Sequence, residues 1–336
     1  MILCGAVLFT GCSLVDEDLS DCGTDAQVDY QLRLVTNVTT ELETELGMAP
    51  ALQIQGRLKE YLNGIFTDYA RDVDLSFYDI QPPMPRLTHM SVVMNGSESS
   101  YTLYLPAREY MHTAVANIQG NSCVDLADAE ECSTARLVQR SGEDVLPPHN
   151  TGIFTARQDM KVLSDRDQFF DVRLYMANAA TALVLDVSEV TTVKDLLVTV
   201  SGFATEFRIA DSTFVFSDKD AVMGTTRLDS GYGLLSFVSV HFPSRPAPET
   251  KVVIDDGGGS PGVSPDPLWH WTVHATMMDG TVTESVIKMH NPLLAGHLKV
   301  LRATVQDTGI VTTVNPEVGV SVTLDWHDAG NYPIDL

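Results

Sequence analysis

The stretch that decides the fold is residues 269–289, WHWTVHATMMDGTVTESVIKM. Apolar side chains alternate with polar ones on both sides of Asp279-Gly280, and this period of two is typical of a half-buried β-strand. The Asp-Gly pair is typical of a two-residue hairpin turn, because both turn positions need a positive φ. The sequence therefore predicts two antiparallel strands here, with Trp269 and Trp271 on the buried face.

The same alternation recurs along the chain between Val28 and Leu324, with turn residues between the segments. Only Leu52–Phe66 shows helical spacing, which places five apolar residues on one face: Leu58, Tyr61, Leu62, Ile65 and Phe66. Many short strands separated by turns are typical of antiparallel sandwiches. The sequence therefore predicts an all-β chain of two tandem antiparallel β-sandwich domains, with one short helix in the first.

The boundary between the two domains is predicted near Ala177-Asn178-Ala179-Ala180, where one strand ends and a new series begins. A chain of 336 residues suits two domains of about 150 residues each. We therefore expect an N-terminal domain over 27–178 and a C-terminal domain over 179–336.

Composition excludes some classes of function. The chain has 45 acidic and 21 basic residues, which gives a formal net charge of −24. Such a protein repels nucleic-acid phosphates, so no nucleic-acid partner is expected. An apolar content of 44% is that of a globular protein, and no apolar run reaches the ~18 residues of a membrane-spanning helix.

The first residues look like an export signal. An uncharged apolar run over residues 2–10 is followed by Gly11-Cys12-Ser13. A short apolar run that ends in a small residue is typical of a secretory signal peptide. A small residue directly before a cysteine resembles the lipobox of bacterial lipoproteins, and that resemblance implies removal of residues 1–11 and lipidation of Cys12.

An acidic segment follows Cys12. Residues 13–29 contain six acidic residues and no basic one, and a short run of like charge stays solvated and extended. We therefore interpret residues 12–26 as a lipidated acidic tether. The acidic stretch also resembles the surface-export signal of Bacteroidota lipoproteins, and a linker without such an address remains an equal alternative.

Three cysteines lie beyond the predicted lipid site: Cys22, Cys123 and Cys132. In an exported protein, Cys123 and Cys132 could close a small loop as a disulfide. Cys22 could instead pair with either of them and hold the tether against the body. Because three is an odd number, one thiol stays free or pairs outside the chain.

The sequence contains few candidates for metal-binding or catalytic residues. His270 and His274 lie on a predicted strand, where four residues separate them by roughly 13 Å, too far for one metal ion. No His-Glu-x-x-His and no Gly-x-Ser-x-Gly motif is present. Asp255-Asp256-Gly257 lacks the alternating ligands of an EF-hand loop. We therefore predict no catalytic residue, metal site or cofactor.

Four stretches resemble the FimB-like (Mfa-type) fimbrial anchor lipoproteins of the Bacteroidales: Gly11–Cys22, Tyr104–Tyr110, Phe170–Asn178 and Gly319–Trp326. The first resembles the lipid cysteine, acidic Asp-Leu-Ser segment and second cysteine with which relatives commonly begin. The other three resemble strand segments of the two family domains.

This resemblance implies two tandem β-sandwiches of the transthyretin-like, Greek-key type. It also implies a surface-exposed protein of the outer membrane, held by lipid on Cys12, that anchors or helps assemble fimbriae. Its partners would be fimbrillin-like shaft subunits, bound through protein–protein contacts such as β-strand addition.

A different function is a glycan-binding surface lipoprotein of a polysaccharide-uptake system. It predicts exposed aromatic platforms, for which Trp269 and Trp271 are the nearest candidates, although their spacing favours the core. A secreted hydrolase is a third hypothesis.

Overall fold

The computed structural model describes residues 26–35, 52–66, 70–93, 100–140, 142–229, 233–246, 266–313 and 318–325. Over these ranges the chain forms one helix and 21 strands. Helix α1 spans Leu52–Ile65. The strands are β1 Ala26–Val35, β2 Asp72–Asp79, β3 Arg86–Val93, β4 Ser100–Leu105, β5 Glu109–Ala116, β6 Val124–Ala127, β7 Arg136–Gln139, β8 Phe154–Lys161, β9 Gln168–Met176, β10 Ala179–Asp186, β11 Val193–Ser201, β12 Glu206–Arg208, β13 Thr213–Val215, β14 Val222–Met223, β15 Thr226–Asp229, β16 Leu234–His241, β17 Trp269–Met277, β18 Val282–Met289, β19 Leu298–Val305, β20 Val311–Thr313 and β21 Val318–Asp325.

Several predictions fall outside these ranges. They concern the signal peptide over residues 1–11, most of the tether over residues 12–26, lipidation of Cys12 and the state of Cys22. These stay predictions.

The strands of the first half form a seven-stranded sheet in the order β3-β2-β5-β8-β9-β1-β4. Strands β8 and β9 pair through only two residue pairs, Phe154↔Met176 and Thr155↔Tyr175. Inward residues from both sides of this narrow connection, such as Leu75 on β2 and Val172 on β9, belong to one apolar core. The sheet is thus divided at the β8–β9 junction into two parts that enclose a common core.

The second half has two separate five-stranded sheets, in the orders β15-β16-β10-β19-β20 and β14-β11-β17-β18-β21. Their facing residues form a second core that contains Trp269 and Trp271. The predictions of an all-β fold, of sandwich layers and of a single helix in the first half are therefore confirmed. The division into domains at residues 178 and 179 stays a prediction.

The two halves have the same strand order. In the first half, one part of the sheet has the order β3-β2-β5-β8, and the other part has the order β9-β1-β4. In the second half, the series β14-β11-β17-β18 corresponds to the first of these parts. The series β19-β10-β16 corresponds to the second. The one difference from a purely antiparallel sandwich is also repeated, because β1 runs parallel to β9 and β10 runs parallel to β19. The sequence shows no repeat, so only the topology reveals this relation.

Strand β10 is buried on both faces. Ala180, Ala182 and Val184 point into the core of the first half, whereas Leu183 and Leu185 point into the core of the second. Because a strand exposes its side chains alternately to its two faces, β10 needs packed layers on both sides. The two cores therefore share this strand.

Helix α1 and a small sheet also connect the halves. Helix residues Leu58 and Leu62 pack in the same core as Val238 and Val240 of β16, and Tyr61 Oη donates a hydrogen bond to Thr226 Oγ1 at 2.8 Å. A four-stranded sheet, β13-β12-β7-β6, combines strands from before and after β10.

A buried polar cluster joins the halves where β9 leads into β10. Asn178 Oδ1 accepts a hydrogen bond from Ile153 N–H, and its Nδ2 donates to His149 Nδ1 at 2.6 Å. His149 Nε2 in turn donates to Gln139 Oε1. This arrangement requires the neutral Nε2–H form of His149, because a proton on Nδ1 would face the Asn178 donor.

The predicted hairpin of residues 269–289 is present, with Trp269 paired to Met289. Its loop is one residue longer than predicted, since Met277 N–H donates to Thr281 O at 2.8 Å and encloses Met278-Asp279-Gly280. Gly280 has a φ of +89°, which suits the left-handed position of a three-residue loop.

We expect Gly202→Ala to destabilise the protein by about 3 kcal/mol or more, from backbone strain and overpacking together. Gly202 has a φ of +102°, and a Cβ there would lie 2.6 Å from Trp269 Cα. Gly280→Ala is the matched control, because its φ is also positive but nothing lies within 4 Å. We expect it to cost about 1 kcal/mol. Urea unfolding measures both, and equal losses would contradict the close approach of Gly202 to the Trp269 backbone.

We expect the protein to lose stability as the pH falls from about 6.5 to about 4. Burial, with a smaller repulsion from His241, lowers the pKa of His149 to about 3, and burial lowers the pKa of His241 to about 3 as well. Below its normal pKa of about 6.5, each histidine binds a proton in the unfolded chain but not in the folded one. The loss is therefore at most roughly 1.4 kcal/mol per pH unit for each of them.

The variant His149→Gln tests this explanation through the free energy of unfolding between pH 7.5 and 4. We expect it to be less stable than wild type at pH 7.5 but to lose less stability on acidification. Thr276→Gln, on the half-exposed polar face of β17, changes no titratable group and serves as the control with the wild-type slope. An unchanged slope in His149→Gln would contradict the role of this buried histidine.

Candidate functional site: the open edge of strand β8

Strand β8 has one paired edge and one largely open edge. It pairs with β5 over its full length, from Phe154↔Ala116 to Lys161↔Glu109. On its other side β9 pairs only with Phe154 and Thr155. Over the residues that the structure describes, the main chain of Ala156–Lys161 therefore has no neighbouring strand on the side that faces β9, and we call this segment the β8 edge.

Both ends of the gap between β8 and β9 are closed. At one end the strands form their two ladder pairs. At the other end the Gln168 side chain accepts a hydrogen bond from Leu163 N–H at 2.5 Å and donates one to Lys161 O at 3.0 Å. The gap is therefore about six residues long and cannot extend farther along the strand.

The second half of the chain fills the position that the first half leaves open. There, β18 occupies the place in the strand order that β8 holds in the first half, and β21 pairs with β18 over eight residues, from Val282↔Asp325 to Met289↔Val318. No described strand takes this position beside Ala156–Lys161. The topology thus identifies the β8 edge as a vacant strand position.

Two arginines would meet if the β8–β9 ladder continued. The next pair in the same register on the outer face would place Arg157 opposite Arg173. Like charges directly opposite each other destabilise a strand pair, which disfavours further pairing beyond Thr155 and Tyr175. Both arginines line a cavity of about 350 Å³, together with Tyr175, Phe214 and Ser212.

A second cavity, of about 510 Å³, lies on the paired side of β8, against β5 and the turn between β2 and β3. Its lining combines the apolar residues Ile80, Met84 and Met160 with the charged residues Asp159 and Lys161. Of these two cavities, the first alone is lined by residues of both β8 and β9. Concave, mostly apolar surface with a few polar groups is typical of binding sites.

The outer face of β4, β1 and β9 exposes three aromatic side chains: Tyr104 is 64% exposed, Phe169 62% and Tyr175 55%. Their positions on one face follow from the pairing of Tyr104 with Gln27 and of Asp29 with Phe169. These three residues were not among the predicted functional residues. The alternation within residues 168–176 could have located Phe169 and Tyr175, since both occupy the face that also carries Asp171 and Arg173.

The tryptophans considered as a glycan platform are buried. Trp269 is 2% exposed and Trp271 0%, and Trp269 Nε1–H donates to Asn291 O at 2.9 Å. The alternation in 269–277 predicted this core position correctly. His270 and His274 lie on the half-exposed face of the same strand, as predicted, and His274 Nδ1 lies 3.7 Å from Glu284.

Cys123 and Cys132, considered as a disulfide pair, are free and buried in this structure. They belong to different apolar clusters, Cys123 with Val124 and Leu137, and Cys132 with Tyr78. Cys123 Sγ donates a hydrogen bond to Pro148 O at 3.3 Å. Burial raises the pKa of the Cys132 thiol, which keeps this thiol protonated.

The part of the chain that the structure describes contains no group of three or more His, Cys, Asp or Glu residues placed to hold a metal ion. Over the same ranges, no helix has the length and apolar content needed to cross a membrane.

Comparisons with known proteins establish similarity of fold only. No family model matches the sequence, and no curated protein matches it. Among solved structures, a "putative adhesin" from Bacteroides ovatus is similar with a TM-score of 0.53 and 9% identity, over 90% of this chain and 97% of that chain. A "putative polysaccharide binding" protein from Bacteroides thetaiotaomicron is similar with a TM-score of 0.51 and 8% identity, over 87% and 99%.

The solved structures also include the fimbrial anchor protein Mfa2 from Porphyromonas gingivalis. It is similar with a TM-score of 0.46 and 10% identity, over 89% of this chain and 98% of that chain. Fimbrial proteins and adhesins of the Bacteroidales are thus among the structures similar to this chain.

Proposed function

We propose that this protein is a surface adhesion protein that joins a fimbrial assembly by accepting a β-strand from a partner subunit at the β8 edge. The observation that carries the proposal is the vacancy beside Ala156–Lys161, at the position that β21 fills in the other half. The shared fold of the Bacteroides ovatus adhesin supports the adhesion role.

Strand addition suits this site for a physical reason. An incoming strand gains main-chain hydrogen bonds from an open edge, and alternate side chains enter pockets on either side. The β8 edge offers both, because no described strand pairs with its main chain on the side that faces β9 and a cavity adjoins it at Arg157. An exposed edge is otherwise an aggregation hazard, and the net charge of −24 opposes uncontrolled association of copies of this chain.

Strand addition should protect the amides of the β8 edge from hydrogen exchange. We expect the backbone amides of Ala156–Lys161 that face β9 to exchange quickly in the free protein and at least about tenfold more slowly in a complex purified from mildly solubilised envelopes. Strand β16, paired on both sides by β10 and β15, serves as the internal control with unchanged exchange.

Protection that appears instead at the outer edges of β3 or β4 would contradict the assignment of the β8 edge. Both are edge strands of the seven-stranded sheet. The same hydrogen-exchange measurement therefore also tests these two edges as alternative positions for the added strand.

The proposal also includes anchoring to the outer membrane by lipid on Cys12, followed by the acidic tether. This part is supported by Gly11-Cys12-Ser13 and by the six acidic residues within 13–29. Stable membrane attachment needs more than one acyl chain, so we expect Cys12 to carry several chains, palmitate among them.

We expect Cys12→Ala to abolish incorporation of labelled palmitate and to release the protein from the outer-membrane fraction. Its thermal unfolding should equal that of wild type, because the substitution leaves the sandwich layers unchanged. Cys22→Ala is the matched control, since it removes a nearby thiol but not the residue that follows Gly11. Outer-membrane fractionation and label incorporation that persist in Cys12→Ala would contradict lipidation at this residue.

Glycan binding is a second candidate, supported by the shared fold of the Bacteroides thetaiotaomicron protein and by the exposed rings of Tyr104, Phe169 and Tyr175. Aromatic side chains with one open face suit contact with sugar rings. The two tryptophans first considered for this role are in the core. A pull-down separates the candidates: a β-rich fimbrial subunit supports strand addition, whereas an outer-membrane transporter with glycan-handling lipoproteins supports glycan capture.

A further inference from the structure

The outer face of the β8 edge carries a pattern of charges. Arg157, Asp159 and Lys161 are all exposed on that face. Lys161 Nζ lies 2.5 Å from Glu109 Oε1 on the neighbouring β5. The side chains of Arg157 and Asp159 have no hydrogen-bonding or ion-pairing partner among the residues that the structure describes.

Among the described residues, Arg157 and Arg173 lack the carboxylate partner that six other arginines of this acidic chain have. Six arginines lie within 3.7 Å of a carboxylate: Arg86, Arg136, Arg140, Arg166, Arg227 and Arg245. By contrast, neither Arg157 nor Arg173 has such a partner among the described residues, although both line one cavity. Two unpaired guanidinium groups across a gap repel each other, and a carboxylate between them would satisfy both.

The inner side of the same edge is mainly apolar. Ala156 and Met160 point into the core of the first half together with Tyr110 on β5, and Gln158 between them is half-buried. An added strand must therefore present apolar side chains on this side and polar ones on the outer side, since strand residues alternate between faces.

We propose that the β8 edge selects a strand with the pattern basic–apolar–acidic, read from its N-terminus to its C-terminus. This inference rests on the proposed strand addition and specifies the partner that the edge accepts. By analogy with β21 on β18, the strand lies antiparallel to β8. Its basic residue then faces Asp159, its apolar residue faces Gln158, and its acidic residue faces Arg157.

Arg173 strengthens the selection of the acidic residue. It lies on β9, on the far side of the incoming strand, and lines the cavity that also contains Arg157. The carboxylate of the incoming strand would thus lie between two guanidinium groups. The reversed pattern would put a third positive charge between them and a carboxylate against Asp159, and like charges opposite each other weaken strand pairing.

The experiment uses two synthetic peptides of identical composition. One is acetyl-Thr-Val-Lys-Val-Glu-Val-Thr-amide, and the other has the Lys and Glu exchanged. Because length, net charge and strand propensity are the same, a difference in affinity reports the order of the charges. We expect the Lys-first peptide to bind the full chain about tenfold more tightly, measured by calorimetry at 0.15 M salt; tenfold corresponds to about 1.4 kcal/mol.

The double variant Arg157→Glu/Asp159→Lys reverses the charges of the edge without changing the net charge of the protein. We expect it to prefer the Glu-first peptide. Arg173→Gln should reduce the preference of the wild-type edge without reversing it. The control is Asp195→Arg/Arg227→Asp, a charge exchange at the exposed pair between β11 and β15, for which we expect the wild-type preference. Circular dichroism shows that each variant is folded.

The outcomes separate this inference from the proposed function. Equal affinity for the two peptides, or an unchanged preference in Arg157→Glu/Asp159→Lys, overturns the charge pattern but leaves strand addition at β8 in place. Binding of neither peptide at millimolar concentration overturns both. Tighter binding of tri-galacturonate than of either peptide, lost in Arg157→Gln/Arg173→Gln, would assign the two arginines to an acidic glycan instead.

Discussion

The structure depends on the burial of β10 on both of its faces. Full burial of an aliphatic side chain stabilises a protein by about 1.5–3 kcal/mol, and Leu183, Val184 and Leu185 are at most 4% exposed. Since consecutive residues point to opposite faces, this gain requires a packed layer on each side. The two cores, helix α1 and the polar cluster around Asn178 are therefore organised about one strand. The predicted boundary near Asn178 thus lies where the two halves are most closely connected.

The repeated topology is the reason to regard the open edge of β8 as a position for a further strand. The two halves share a core strand order, but β21 covers β18 in the second half, whereas no described strand covers Ala156–Lys161 in the first. Arg157 and Arg173 disfavour further β8–β9 pairing, because the ladder register would place them opposite each other. This charge repulsion favours an edge that stays available to a partner strand. The same two arginines can then contribute to the choice of that partner.

Most of the fold could be predicted from local patterns. The alternation in residues 269–289 identified both strands and the burial of Trp271, and the spacing in 52–66 identified the single helix. The hairpin loop was predicted one residue too short, because Asp-Gly occurs in both two-residue and three-residue loops. The parallel pairs β1–β9 and β10–β19 were not predicted, since the partner of a strand is chosen by distant residues.

The sequence by itself determined the period of each element, the side of each strand that is buried and the excess of negative charge, because these follow from residue types at local spacing. The tertiary structure alone decided which strands are neighbours and where one is lacking. Arg157 and Arg173 are 16 positions apart in the sequence and carry no motif, yet they line one cavity. The two arginines come together only through the register between strands β8 and β9. That register is fixed by packing across the whole core, not by any single segment.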